Sequence, residues 1–418
     1  MTASVTSDTA ITFTLPSGLR VLLVPTATTE VVYAGIAIAA GTRHELDTES
    51  GMAHLVEHMT FKGTATRTAR QITGSIESVG GELNAYTAKE ETVYYAAFHR
   101  QHLHRAISLL QDIAFHSIYP QVELEREREV VIDEIESYND SPAELIYDDF
   151  ESLIFPRQPL GRNILGDAER LRQYTCADLQ AFARRSYRPD RAVLFLRGNV
   201  TEKDVRKLLV PSASINSIDT IDSIAFIDTI APIDSIASME TIDKHTHQAH
   251  VMLGGPAYSL TDPRLPGLAL LMNILGGPAM NARLCQSLRE RAGLVYTVEA
   301  GTTAYTDTGL WNIYFGCDHE DVRRCLRLVH KELRRLTQAP LSPRALSAAQ
   351  RQLCGQLAIA AENTENYILA TAKQFLHTNR LRTLEDQCRD ISQLTPDFLY
   401  QVALETLQPH LISTLVYK

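Results

Sequence analysis

The sequence has no C-x-x-C pair among its six cysteines (Cys176, Cys285, Cys317, Cys325, Cys354 and Cys388). They read as reduced core or surface thiols and not as a disulfide framework. No apolar run approaches the ~20 residues needed to cross a bilayer, so no membrane association is expected. The start, Met1 to Asp8, has neither a basic region nor an apolar core segment and is not a secretory signal. A cytoplasmic protein is the expectation, although a mature organellar protein stripped of its transit peptide would read the same. Basic residues are outnumbered, 40 Lys and Arg against 50 Asp and Glu, for a net charge of −10. That balance argues against nucleic acid as a partner, since phosphate binding needs a clustered basic surface, and it is compatible with basic peptides.

What is present is ordinary for a globular chain, 44% apolar and 22% charged over 418 residues. That length implies two or more cores. The most informative stretch is His54-Leu55-Val56-Glu57-His58. Residues four apart share a helix face, so His54 and His58 can reach one ion, and Glu57 borders that face within reach of a metal-bound water. The order H-x-x-E-H inverts the better-known H-E-x-x-H of zinc peptidases. Gly51-Met52-Ala53 leads in and Met59-Thr60-Phe61 leads out. The segment is therefore a mostly apolar helix whose polar residues would be costly to bury without a partner.

A catalytic zinc usually takes three protein ligands and leaves a position for water. The best source of the third is the run from Glu123 to Glu136, which has strong helix formers and no Gly or Pro. Val130, Val131 and Ile135 give it an apolar side, and Glu127 and Glu134 lie two turns apart on one stripe. Glu134 is the expected third ligand. Glu127, grouped with Glu57 in the catalytic set, is the carboxylate expected to orient it. The other charges of this run, Glu125, Arg126, Arg128, Glu129 and Glu136, read as a solvated, salt-bridged face.

One compositional break divides the chain. From Pro211 to about Lys244 it is a near-repeat of Ser/Thr-Ile-Asp units, with isoleucines mostly every third residue, a period that suits neither a strand nor a regular helix. It reads as an interdomain linker, assigned to 211–246, between a domain at 1–210 and one at 247–418. The two halves look like copies: a strand, a helix, a strand pair and a helix follow in the same order on either side. Where the first half has its ligands the second has Leu268-Ala269-Leu270-Leu271-Met272-Asn273, so the second domain is expected to be metal-free. Helices among hairpin-like strands predict an α+β class, each domain a largely antiparallel sheet with helices on one face.

The H-x-x-E-H pentad, the glutamate 76 residues beyond His58 and a further glutamate seven residues before it resemble the pitrilysin family of zinc metallopeptidases, which includes the mitochondrial processing peptidases. The resemblance spans nearly the whole chain. Gly80 to Thr87, followed by Glu91-Thr92-Val93-Tyr94-Tyr95, looks like the family's substrate-side strand and its neighbour. Leu288 to Tyr296 resembles its second signature.

The resemblance implies two homologous domains closed as a clamshell and one Zn2+ per chain on His54, His58 and Glu134. It implies main-chain pairing of an extended peptide at Asn84 and Ala85, and contacts from Arg289 and Tyr296 to substrate or oxyanion. Without it, Arg289 would read as a surface salt bridge to Glu290 or Asp307. Glu57 would serve as general base and then acid, which requires its pKa to be raised. The expected activity is zinc-dependent endoproteolysis of unfolded or presequence peptides in an enclosed cleft, by a homodimer. The alternatives are the catalytic half of a heterodimer with a related subunit and a non-catalytic scaffold. Pro278, in Gly276 to Arg283, departs from the glycine-rich loop of relatives and stiffens it.

Overall fold

The computed structural model describes residues 10–209 and 237–418. The repeat over 211–236 lies outside the described residues. The described end of the expected linker is not a linker, because Met239–Ile242 forms a strand paired in parallel with the last strand of the chain. Its Met-Glu-Thr-Ile sequence continues a stretch spaced in threes, which hid the strand's own period of two.

Six strands build the first sheet: β1 (Ile11–Thr14), β2 (Arg20–Pro25), β3 (Val31–Ile38), β4 (Glu82–Thr87), β5 (Thr92–His99) and β6 (Ala192–Gly198). Five build the second: β7 (Met239–Ile242), β8 (Ala249–Ala257), β9 (Val295–Ala304), β10 (Gly309–Cys317) and β11 (Ser413–Tyr417). The orders are β1-β2-β6-β3-β5-β4 and β7-β11-β8-β10-β9. Within each sheet one pair is parallel, β2 with β6 and β7 with β11, and every other pair is antiparallel. Set side by side, the orders coincide strand for strand once β1 is set aside, so the expected repeat of one α+β pattern is present.

The first sheet is buried on both faces, which is why β2 and β6 are continuous apolar runs and not alternating ones. Val21 and Leu23 of β2 face a core shared with Leu55, Val56 and Met59 of the helix Met52–Thr60 and Leu109, Leu110 and Ile113 of the helix Leu103–His116. Leu22 and Val24 point the other way, onto Ile368, Ala372, Phe375 and Leu376 of the helix Thr364–Thr378. Arg20 donates to the terminal carbonyls of that helix, at Phe375 (3.2 Å) and Leu376 (3.1 Å). The second sheet repeats the arrangement: Val251 and Leu253 face the helix Leu265–Gly276, while Met252 and Leu415 pack on Leu145, Ile146 and Phe150 of the helix Pro142–Ile154.

The compact units are therefore not the contiguous halves expected at 1–210 and 247–418. The first holds the described residues before Glu136, those from Arg162 to Leu209, and Glu362–Leu381. The second holds Glu136–Gly161, residues 237–361 and Arg382–Lys418. Each half contributes one helix to the far face of the other half's sheet. The larger helical layer lies on one face as expected, and the opposite face is covered by that single helix. A 3.6-residue apolar stripe identifies a buried helix but does not say which sheet will bury it.

All six cysteines are free thiols. Among the described residues, no helix is long and apolar enough to cross a membrane.

Candidate active site

The helix Met52–Thr60 is buried almost all round, including His54 and Glu57. Its entry turn is fixed by sterics. Gly51 sits at φ +79°, and a Cβ there would lie 2.6 Å from the Leu165 carbonyl oxygen and 2.9 Å from Gly166 Cα. The free N–H groups at the helix start are met by Glu45, whose carboxylate accepts from Ala53 (2.9 Å) and Gly51 (3.3 Å). Burial drives the Glu45 pKa up to about 8, although these two N–H groups and Arg162 pull the other way.

On this helix the two imidazole rings stand edge to face, 4.6 Å between centroids. The helix Gln121–Asn139 brings Glu134 to them. Its Oε2 lies 3.8 Å from His54 Nε2 and 3.4 Å from His58 Nε2, and one donor atom from each of the three residues lies within 4.8 Å of the others. Among the described residues this is the one such group of three.

The chemistry of the set fits a cation. His54 is buried, and burial together with the neighbouring His58 lowers its pKa to about 3, so its ring is neutral with a lone pair to offer. Its Nδ1 is buried without a hydrogen-bond partner. His58 bonds Glu127 through Nδ1 at 3.0 Å, which assigns the proton to that nitrogen and leaves the Nε2 lone pair toward Glu134. Two imidazole nitrogens and a carboxylate thus converge, a donor set that suits a zinc ion.

Glu127 departs from its expected role. It was expected to orient Glu134, its stripe-mate on the same helix; instead its Oε1 holds His58, and its Oε2 lies 2.5 Å from the Lys62 ammonium. Burial alone would raise the Glu127 pKa, but the bonds to His58 and Lys62 outweigh it and hold the carboxyl below its ordinary value. For His58, burial lowers the pKa, but Glu127 and the charges of Glu57 and Glu134 together raise it.

Glu57 borders the convergence as the spacing predicts. Burial raises its pKa, helped by the charge of Glu134 and opposed by Thr87 and His58. Thr87, at the end of β4, donates its hydroxyl to Glu57 Oε2 at 2.5 Å. Asn84 and Ala85 lie on the same strand, which is the outer strand of its sheet and pairs on one side with β5 (Asn84 with Tyr95, Ala85 with Tyr94).

Arg289 and Tyr296 belong to the second unit. Arg289 lies in the last turn of the wide helical segment Cys285–Glu290 and bonds its neighbour Glu290 at 2.9 Å. Tyr296, near the start of β9, is 89% exposed. In the helix Leu265–Gly276 the buried side chains include Leu268, Leu270, Leu271 and Met272, and none of these can ligate through nitrogen or oxygen.

Glu45, Lys62 and Thr87 were not singled out from the sequence. Thr87 carried a usable signal, since it stands two residues after Ala85, on the same face of the strand already singled out. Glu45 and Lys62 carried none, because their roles depend on which chain segments the fold brings beside them.

Among the described residues, two copies of one α+β pattern carry a His/His/Glu convergence in the first copy and none in the second. The family models agree: Insulinase (Peptidase family M16) matches residues 20–168, and Peptidase M16 inactive domain matches 173–353. The chain belongs to the M16 peptidase family. It is 31% identical to the uncharacterized zinc protease YmxG of Bacillus subtilis over 91% of each chain. An uncharacterized zinc protease of Streptomyces coelicolor is 32% identical over 94% of this chain and 86% of its own. Among solved structures, a protease from Helicobacter pylori superposes with a TM-score of 0.88 at 21% identity, covering 98% of this chain and 99% of its own, which shows a shared fold.

Proposed function

We propose that this chain is a zinc-dependent endopeptidase acting on unfolded peptides, including presequence-like ones. The observation that carries this is the convergence of His54, His58 and Glu134 on one point with the Glu57 carboxylate beside it. The names of the relatives support zinc as the ion. Bound there, zinc supplies a water acidified toward neutrality and a Lewis acid for the scissile carbonyl.

The chain's own residues do the rest. Glu57 takes the proton of the attacking water and returns it to the leaving amine, and a raised pKa suits the second half of that cycle. Thr87 holds the carboxylate in one orientation while it does so. An extended peptide adds to the open side of β4 at Asn84 and Ala85 through main-chain hydrogen bonds, a mode of binding that predicts broad side-chain tolerance. Arg289 and Tyr296 are substrate-binding residues in this reading, both accessible to a ligand. Because one chain carries both sets, it acts as a homodimer without a second kind of subunit.

The test is hydrolysis of a mixed library of short peptides by the purified protein alone, with chelator and with zinc restored. Chelator-sensitive, zinc-restored cleavage that spares a stable folded protein is the expected result. No cleavage by the zinc-loaded protein, or efficient digestion of a folded protein, contradicts the proposal.

A further inference from the structure

The hairpin that carries Thr87 turns on three consecutive charged residues, Lys89, Glu90 and Glu91, and all three are buried, at 4%, 4% and 1% exposure. Turns normally run over the surface, and buried charge is costly unless it is paired. Here each charge is tied to a different segment of the first unit. Lys89 donates to the Arg162 carbonyl at 2.5 Å, and Glu90 pairs with Arg43 at 2.6 Å.

Glu91 is met by the helix Thr364–Thr378, which comes from the other half of the sequence. His377 Nε2 lies at 2.9 Å from Oε2 as a hydrogen bond. The Lys373 ammonium lies 2.5 Å from Oε1 as an ion pair without aligned hydrogen-bond geometry. Lys373 and His377 are four residues apart and so share the helix face that meets the turn.

From Glu91 the path to the reacting groups is short. The Ala88 N–H donates to the Glu91 carbonyl at 2.7 Å and closes the turn; Arg43 N–H donates to the Lys89 carbonyl at 2.8 Å. The next residue back from Ala88 is Thr87, whose hydroxyl sits on Glu57. Attachment of the helix does not require these charges, since Ile368, Ala372, Phe375 and Leu376 already bury it on the sheet. A buried ionic group is a weak source of stability next to apolar packing and is better suited to fixing one geometry.

We propose that Glu91, Lys373 and His377 form a clamp through which the helix Thr364–Thr378 sets the β4–β5 turn and thereby the Thr87 hydroxyl on Glu57. They are positioning residues for proton transfer. The inference rests on the peptidase reading, and it has a structural half that does not.

The test compares Glu91→Gln, Lys373→Met and a packing control, Ile368→Val, each alone and in a Thr87→Val background. In the full-length protein, hydrogen exchange at the Ala88 amide should speed up in the two clamp variants and not in the control. With a peptide substrate, kcat should fall about tenfold or more, as small misplacements of a catalytic group cause, with KM within roughly twofold and zinc content retained. On the Thr87→Val background the clamp variants should add no further loss. Unchanged exchange at Ala88, or kcat losses that simply add to that of Thr87→Val, overturns the clamp. A zinc-loaded wild-type protein that cleaves nothing overturns the peptidase reading, and the exchange result still decides the structural half.

Discussion

Glu127 bonds His58 at Nδ1, 3.0 Å away, on the ring nitrogen opposite the one that meets Glu134. The bond fixes both the ring's tautomer and its direction, and the Lys62 ammonium at 2.5 Å holds the carboxylate in turn. A carboxylate behind a ligating histidine typically governs metal affinity by 10- to 100-fold. Glu127→Gln should therefore weaken zinc binding by about that factor while leaving the fold intact, measured by competition with a chelator of known affinity. Unchanged affinity would show that His58 needs no such support.

Glu45 gives a pH dependence of stability whose sign is fixed. Its folded pKa, about 8, lies above the ordinary carboxyl value of 4.5, with burial as the main cause. The folded state thus favours the protonated acid. The stabilisation is fully present below the unfolded pKa and is lost as pH rises from about 4.5 to about 8. Glu45→Gln mimics the neutral acid and should flatten that part of the pH profile, with a gain at pH 8 on the order of a few kcal/mol. Chemical denaturation of both proteins at the two ends of the window reads the difference. Parallel profiles would mean that Glu45 stays ionised in the fold.

Two glycines should respond oppositely to alanine. Gly51, at φ +79° and tight against Leu165 and Gly166, starts the motif helix. Gly51→Ala should cost about 2 kcal/mol or more. Gly74 lies inside the helix Ala69–Glu77, where an added Cβ meets nothing within 4 Å. Gly74→Ala should gain about 0.5–1 kcal/mol. Thermal unfolding of the two variants checks both, and equal effects would refute the steric account of the Gly51 turn.

The parts of the site that were legible in the sequence are those set by local geometry. His54, Glu57 and His58 fall on one turn of one helix, and a 3.6-residue period places them without knowledge of the rest. Glu134 could be read because its helix has no breaker and a clear apolar side. The partner of Glu127 could not: a shared stripe puts it near Glu134 in projection, but its carboxylate extends away from its own helix toward Nδ1 of His58. Glu45 and Thr87 act across 8 and 30 residues, through contacts that only the folded chain creates. The same limit applies to the helices Pro142–Ile154 and Thr364–Thr378, whose apolar faces were readable and whose destinations were not.

In the proposed mechanism Glu134 holds the metal and Glu57 moves the proton. Zinc content and peptide turnover should therefore be measured together on Glu57→Gln and Glu134→Gln. The predicted result is that Glu57→Gln keeps about one zinc per chain and loses turnover, whereas Glu134→Gln loses the zinc itself. Normal turnover in Glu57→Gln, or full zinc in Glu134→Gln, would contradict it.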